Sequence, residues 1–214
     1  MDYSAKLEEL IQKDNGVIST KIATEAGIPR TYLSEFVKRG ILERLERGIY
    51  ISKDCYDDEM YCLQIKYEQA VFSHDTALFL HDLTDRDPLQ YAVTVKTGYN
   101  TKNIKASGAK VYTIKKELYD LGLITAKTPF DRVVKTYDME HTICVIIRSR
   151  SQMDIAILTD ALKKYTKHKD KNLPELMRYA ENFSIANVLQ RYLEIPIRSS
   201  ENLKYSADKT VLGL

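Results

Sequence analysis

The sequence predicts an α+β fold, in which a small N-terminal domain precedes a larger mixed domain with a small sheet and C-terminal helices. Two patterns lead to this prediction. Within the first fifty residues, three short helical patterns separated by glycine breaks are followed by a pair of β-prone runs. In the remaining chain, β-prone segments come first and helical segments last, an order typical of α+β proteins.

The composition is that of a globular protein. Of the 214 residues, 44% are hydrophobic and 29% are charged, and no apolar run approaches the length of a membrane span. The N-terminus has no basic stretch leading into an apolar one, so we expect no secretion signal and a cytoplasmic protein. Cys55, Cys62 and Cys144 are too widely spaced for a disulfide framework or a zinc site, and we expect no metal or other cofactor.

The first helix is predicted over residues 2–13, where apolar residues recur at helical spacing and Asp2 or Ser4 supplies an N-cap. Asn15-Gly16 ends this helix, because both residues favour turns. The following Val17-Ile18 is predicted to be a short apolar link.

A second, short helix is predicted over residues 21–26 and a third over residues 29–39. Ser19 or Thr20 caps the second helix. Gly27 ends it, because glycine adopts the left-handed C-cap conformation without steric cost. Together the two helices form a helix, glycine turn, helix pattern.

The third helix has an apolar inner face of Leu33, Phe36 and Val37 and a polar outer face. After it, residues 41–51 form two β-prone runs around the turn signal Glu46-Arg47-Gly48. Three short helices followed by a basic hairpin predict a winged helix-turn-helix, whose third helix enters the major groove of DNA. The candidate DNA-contacting residues in this domain are Lys21, Arg30, Thr31, Tyr32, Ser34, Lys38, Arg39, Arg44 and Arg47. The alternative is a winged helix used only for contacts with protein.

The larger domain is predicted to run from residue 54 to residue 197, after a winged-helix domain of residues 1–53 and before a flexible tail of residues 198–214. Its predicted strands are 70–72, 91–96, 110–114, 121–125 and 132–137. Its predicted helices are 57–69, 74–83, 138–147, 152–165, 173–181 and 185–193.

A search for catalytic residues finds only weak candidates, and we predict that the protein is not an enzyme. His74 and His81 lie seven residues apart among several aspartates, so a metal-dependent nuclease or hydrolase using residues 74–87 is an alternative. However, this spacing places the two imidazoles about two helical turns apart, too far for one ion. Cys144 lies in an apolar helical pattern and is expected in the core. No phosphate-binding loop and no nucleophile elbow are present.

Taken together, these features resemble the AbiE antitoxins, a family of type IV toxin–antitoxin systems that act in abortive infection. The resemblance spans about residues 3–195. The residues that carry it are the run from Val17 to Ala23, Gly27 to Leu33, Gly40-Ile41-Leu42, Arg47 to Tyr50, Phe72-Ser73-His74 with Ala77-Leu78, Val93-Thr94-Val95, and Tyr137-Asp138.

The resemblance implies a bacterial protein of two functions that acts in phage defence. The N-terminal domain would repress its own operon by binding inverted repeats in double-stranded promoter DNA. The C-terminal domain would antagonise a nucleotidyltransferase toxin without forming a stable complex with it. It is also implied to help in DNA binding. Residues 92–116 contain six lysines and no acid, so we expect a second basic surface that includes Lys96, Lys102 and Lys105.

Overall fold

The structure is a computed structural model that describes residues 2–53, 55 and 58–193 of the chain. It confirms the mixed α+β class with small sheets and C-terminal helices. The predicted tail, residues 198–214, lies outside the described residues. The helices are α1 (Tyr3–Lys13), α2 (Thr20–Glu25), α3 (Arg30–Lys38), α4 (Glu59–Lys66), α5 (His74–Leu80), α6 (Lys102–Ala106), α7 (Lys116–Tyr119), α8 (Met139–Arg148), α9 (Ile155–Lys167) and α10 (Leu173–Asn182). The strands are β1 (Val17–Ser19), β2 (Leu42–Glu46), β3 (Ile49–Ser52), β4 (Val71–Phe72), β5 (Ala92–Lys96), β6 (Lys110–Ile114), β7 (Leu123–Lys127) and β8 (Val133–Tyr137). Residues 186–193 are also helical.

The strands form two sheets. The first has the order β1-β3-β2 and is antiparallel throughout, with Val17 opposite Ile51 and Leu42 opposite Ser52. The second has the order β6-β5-β4-β8-β7. In it β4 runs antiparallel to β5 and parallel to β8, while β5 and β6 are parallel.

The chain divides into two compact units. The first extends from the N-terminus to Glu68 and includes Lys127–Val134, which comprise the connection between β7 and β8 and the adjoining strand residues. The second comprises Gln69–Ala126 and continues from Lys135. The first unit therefore contains α4 in addition to the predicted N-terminal domain of residues 1–53. Within it, Arg132 donates a hydrogen bond of 2.9 Å to the carbonyl oxygen of Asn15.

Capping hydrogen bonds fix the starts of the first two helices. Asp2 accepts hydrogen bonds from the backbone N–H groups of Ser4 and Ala5 at 3.0 and 3.2 Å. Ser19 accepts one from the N–H of Ile22 at 3.1 Å. Each bond satisfies a donor that the first turn of a helix leaves without a partner. Pro29 occupies the N-cap position of α3, one residue before the helix begins.

The prediction of an apolar link at Val17-Ile18 was wrong, because these residues form β1. Both are fully buried, and they pair with Ile51 and Tyr50 of β3. The segment is only three residues long and has no alternation, so its β-structure comes from tertiary pairing, which local sequence does not reveal.

The core of the first unit joins the three N-terminal helices. Leu7 of α1, Ala23 of α2, and Leu33 and Phe36 of α3 are at most 1% exposed and pack together. Val37 lies at the edge of this cluster and is half-buried. The apolar side of α3 is thus fixed against the rest of the unit, and its opposite side faces solvent.

The core of the second unit is built around α8. Every residue from Glu140 to Ile147 is buried, and α8 packs against α5, α9 and α10. Asp138 caps α8 by accepting a hydrogen bond of 2.7 Å from the N–H of His141. Among the described residues, no helix is long and apolar enough to cross a bilayer.

Candidate nucleic-acid interface

The outer face of α3 presents most of the residues predicted to contact DNA. Thr31, Ser34 and Lys38 are exposed, and they follow one another at intervals of three and four residues, which places them along one side of the helix. Arg30 precedes them at the N-terminal end of α3 and is also exposed. Arg39, just after the helix, lies 3.9 Å from Glu35 and over the ring of Phe36. This side of α3 therefore combines hydroxyl groups with cations at both ends.

Tyr32 differs from the other predicted contacts because it is half-buried. Its ring lies 5.4 Å from the ring of Tyr3 in α1. Only part of the side chain is therefore available to a ligand. Packing of the ring on α1 also holds the start of α3 in place.

The β2–β3 hairpin carries the two other N-terminal arginines. Arg44 is exposed and directs its Nε to the carbonyl oxygen of Glu46 at 3.4 Å. Arg47 is exposed in the turn and is followed by Gly48, whose φ of +86° is favourable only for glycine. The carbonyl oxygen of Gly48 accepts a hydrogen bond of 2.8 Å from the N–H of Thr20. This bond holds the hairpin turn against the start of α2.

A groove of about 510 Å³ lies between α2, the start of α3, the hairpin turn and α4. Four cations line it, and they come from four different elements of the first unit. Their positions bring together three of the predicted contacts and one lysine that the sequence did not suggest. The residues that line the groove are Ser19, Thr20, Lys21, Thr24, Glu25, Arg30, Arg47, Gly48, Ile49, Ile65 and Lys66.

Two of these cations are neutralised by carboxylates. Lys21 donates a hydrogen bond to Glu68 and lies 3.8 Å from Glu25. Lys66 donates to Glu46. The hydrogen bond to Glu68 raises the pKa of Lys21. Burial lowers the pKa of Lys66, but the interactions with Glu46 and Tyr67 together raise it by more. Both lysines are therefore fully protonated at neutral pH.

The other two cations of the groove, Arg30 and Arg47, make no ion pair with any residue that the structure describes. Both guanidinium groups are exposed. Because arginine forms two parallel hydrogen bonds to a phosphate, two unpaired arginines on one groove provide a suitable arrangement for a phosphodiester backbone.

The groove also shows what sequence reasoning missed. Lys66 lies twenty residues from Glu46, and Lys21 lies 47 residues from Glu68, so neither ion pair follows from local spacing. The sequence contained no signal for Lys66, since it belongs to an otherwise apolar and acidic segment.

The second predicted basic surface lies in the second unit. Lys102 and Lys105 are exposed on α6, three residues apart, and thus occupy the same side of that helix. Lys96 at the end of β5 lies 3.8 Å from Asp120 and 4.3 Å from the centre of the Tyr119 ring. Neighbouring side chains thus hold Lys96 in place.

The residues of the alternative metal site have other partners. His81 bonds through Nε2 to the carbonyl oxygen of Tyr137 at 2.6 Å. His74 contacts the hydroxyl groups of Ser73 and Ser149 at 3.0 and 3.3 Å, and its ring stacks on that of Tyr112. Among the described residues, no three histidine, cysteine, aspartate or glutamate side chains are arranged to hold a metal ion.

Cys144 lies in the core, as expected. It is fully buried in α8, and burial raises the pKa of its thiol to about 12. At neutral pH the thiol is therefore protonated, which is unsuitable for a nucleophile.

Residues 5–53 match the model of a family described as transcriptional regulator, AbiEi antitoxin. This match confirms the resemblance to the AbiE antitoxins over the segment that contains every predicted DNA contact of the first unit. This segment is thus similar to the corresponding segment of antitoxin transcriptional regulators. A search of curated proteins finds no match.

Among solved structures, the chain is similar to that of the Rv2827c protein from Mycobacterium tuberculosis. The TM-score is 0.54 at 15% sequence identity, and the similarity covers 85% of this chain and 72% of that protein. At this identity, the comparison shows a shared fold.

Proposed function

Because residues 5–53 match the AbiEi family of antitoxin transcriptional regulators, we propose that the whole chain is a transcriptional autorepressor and antitoxin that binds its own promoter. The observation that supports this most strongly is the position of the match. It covers α1 to β3, and hence the outer face of α3 and the basic hairpin turn. The proposed ligand is double-stranded promoter DNA. The protein acts in the bacterial cytoplasm.

The order α1-β1-α2-α3-β2-β3 supports a winged helix-turn-helix, with α3 as the recognition helix and the β2–β3 hairpin as the wing. In this proposal Thr31, Tyr32 and Ser34 read base edges in the major groove. Their hydroxyl groups both donate and accept hydrogen bonds, as base recognition requires. Inverted repeats would be read by two copies of the chain.

Basic residues around α3 contact phosphate groups in the proposed complex. Phosphate contacts position a protein on DNA without reading its sequence. The residues in this role are Lys21, Arg30, Lys38, Arg39, Arg44 and Arg47. In the second unit, Lys96, Lys102 and Lys105 form a further basic surface for DNA.

The second unit carries the antitoxin function in this proposal and antagonises a nucleotidyltransferase toxin without a stable complex. We propose no catalytic role for the chain. His74, His81 and Cys144, which were the strongest candidates for chemistry, are engaged in hydrogen bonds, ring stacking or core packing.

An electrophoretic mobility shift assay with the purified full chain and its own upstream DNA tests the repressor function. We expect a shifted band at moderate salt that an unrelated duplex competes for poorly. No shift with upstream DNA at low or moderate salt would contradict the proposal. Co-expression with the neighbouring toxin tests the antitoxin function, with restored growth and no co-purification as the expected result.

A further inference from the structure

We propose that Glu46 and Glu68 act as internal competitors of DNA phosphate, each occupying one lysine of the groove and thereby lowering the affinity of the chain for random DNA. This inference rests on the proposed DNA-binding function and concerns the strength of its phosphate contacts. The groove is the one between α2, α3, the hairpin turn and α4.

The four cations of the groove differ in their pairing. Lys21 and Lys66 each donate a hydrogen bond to a carboxylate, whereas Arg30 and Arg47 have no carboxylate partner among the described residues. A carboxylate and a phosphate oxygen are interchangeable acceptors for an ammonium group. Glu46 and Glu68 therefore occupy the positions that two DNA phosphates would take.

Both ion pairs are accessible to solvent. The side chains of Lys21 and Glu68 are 54% and 52% exposed, and those of Lys66 and Glu46 are 32% and 34% exposed. Ion pairs at such sites contribute little to stability, typically under 1 kcal/mol. A polyanion can thus displace the carboxylates at low cost, and these pairs are poorly explained as elements that hold the fold together.

Competition by these carboxylates weakens the phosphate contacts of the groove. Non-specific affinity comes almost entirely from phosphate contacts and the counterions that they release. Two neutralised lysines reduce this contribution, while base contacts from the outer face of α3 are unaffected. Binding to random DNA, which lacks the base contacts, therefore loses a larger share of its total free energy than binding to the promoter does.

The test measures the affinity of the full chain for its upstream DNA and for a random duplex, by fluorescence anisotropy at several salt concentrations. We expect Glu46→Gln and Glu68→Gln each to tighten binding to the random duplex by about two- to fivefold. We expect each to make the slope of log affinity against log salt more negative by about one. Binding to upstream DNA should gain by a similar factor, because phosphate contacts do not depend on sequence.

A second set of variants distinguishes the effect of losing these ion pairs from the effect of losing any negative charge. Glu8→Gln on α1 removes an exposed acid outside the groove and should change affinity little. Lys66→Gln should have little effect in the wild-type chain but should cancel the gain in the Glu46→Gln background. This dependence of one substitution on the other is the coupling that a double-mutant cycle detects.

Two results would overturn the inference while leaving the proposed function intact. In the first, wild-type chain binds upstream DNA but Glu46→Gln and Glu68→Gln bind the random duplex no better than Glu8→Gln does. In the second, the gain persists when Lys66 is absent. If no form of the chain binds any duplex, the proposed function itself is wrong and the inference falls with it.

Discussion

The hydroxyl group of Tyr165 donates a hydrogen bond of 2.9 Å to Oε1 of Glu140 in the interior of the second unit. The same oxygen accepts a second hydrogen bond, of 2.8 Å, from the backbone N–H of Asn172. Glu140 is only 5% exposed. One carboxylate oxygen therefore joins α8 to α9 and to the N-cap residue of α10.

Replacement of Glu140 tests how much these two hydrogen bonds contribute to stability. Glu140→Ala leaves the buried hydroxyl of Tyr165 and the partly buried N–H of Asn172 without this acceptor, and we expect it to lower the free energy of unfolding by about 2–4 kcal/mol. Glu140→Gln retains an oxygen acceptor on a side chain of the same length. It should lower the free energy of unfolding by about 1–2 kcal/mol. Urea unfolding of the full chain, followed by circular dichroism, measures both. Equal losses for the two variants would contradict the role given to this oxygen.

Acid should destabilise the protein through His74. Burial lowers the pKa of His74 to about 3 in the folded chain, whereas the unfolded chain binds this proton near its ordinary pKa of 6.5. The unfolded state thus holds more protons below pH 6.5, and stability falls as the pH drops from 6.5 towards 3.

The variant for this test is His74→Asn, because His74 has a φ of +50° and asparagine tolerates this conformation better than most residues. We expect its stability to fall less steeply than that of the wild type between pH 6.5 and 4. Unfolding free energies at a series of pH values give the slope. An unchanged slope would show that His74 does not titrate differently in the two states.

Asp138 should stabilise the fold as the pH falls, which is opposite to the effect of His74. Burial raises its pKa to about 6, although hydrogen bonds from the His141 N–H and the Tyr179 hydroxyl lower it. Between its ordinary pKa and pH 6, the folded state therefore holds more protons than the unfolded state, so this residue stabilises the fold as the pH falls through that range. Asp138→Asn preserves an N-cap side chain and removes this contribution. Its stability should decline more steeply than that of the wild type from pH 6 to 4.

Removing single positive charges from the first unit distinguishes the proposed phosphate contacts from base contacts. Arg47→Ala and Arg39→Ala should each weaken binding to all duplexes and reduce the magnitude of the salt slope by about one. We expect the larger effect for Arg47, because Arg39 is already 3.9 Å from Glu35. Anisotropy titrations with upstream and random DNA measure both effects. Loss of binding to upstream DNA alone would assign the residue to base recognition.

Base recognition is tested by removing hydroxyl groups from α3. Ser34→Ala and Tyr32→Phe should reduce discrimination between upstream and random DNA, with about 1–3 kcal/mol lost at the base pair contacted. Phenylalanine retains the ring that packs on Tyr3, so the fold of the first unit should be preserved. Selection from a randomised site library gives the specificity directly. An unchanged preferred site for both variants would remove these residues from the proposed interface.

The sequence predicted the elements whose causes are local. Caps, glycine turns and helical spacing located α1, α2 and α3, and the turn signal at Glu46-Arg47-Gly48 located the hairpin. The sequence did not predict the elements whose structure depends on tertiary contacts. Val17 and Ile18 became a strand because β3 lies beside them, and α6 and α7 are too short to give a clear periodic pattern.

In the candidate site, too, the sequence predicted the features with local causes and did not predict those that depend on tertiary contacts. The exposed side of α3 followed from the apolar pattern on its other side, and the arginine of the hairpin turn followed from the turn itself. The groove did not follow, because it depends on α4 packing beside the hairpin and on ion pairs between residues distant in sequence. Such pairs carry no periodic signal, since any of the neighbouring acids would satisfy the same lysine equally well.

The inclusion of residues 127–134 in the first unit has a consequence for the order of events during translation. Arg132 reaches back to Asn15 across 117 positions, and Thr128 donates a hydrogen bond to Asp58 across 70 positions. A nascent chain that has emerged only as far as Glu68 lacks both partners. The first unit is thus completed only after more than half of the polypeptide has left the ribosome, and a truncated translation product would lack part of the unit proposed to bind DNA.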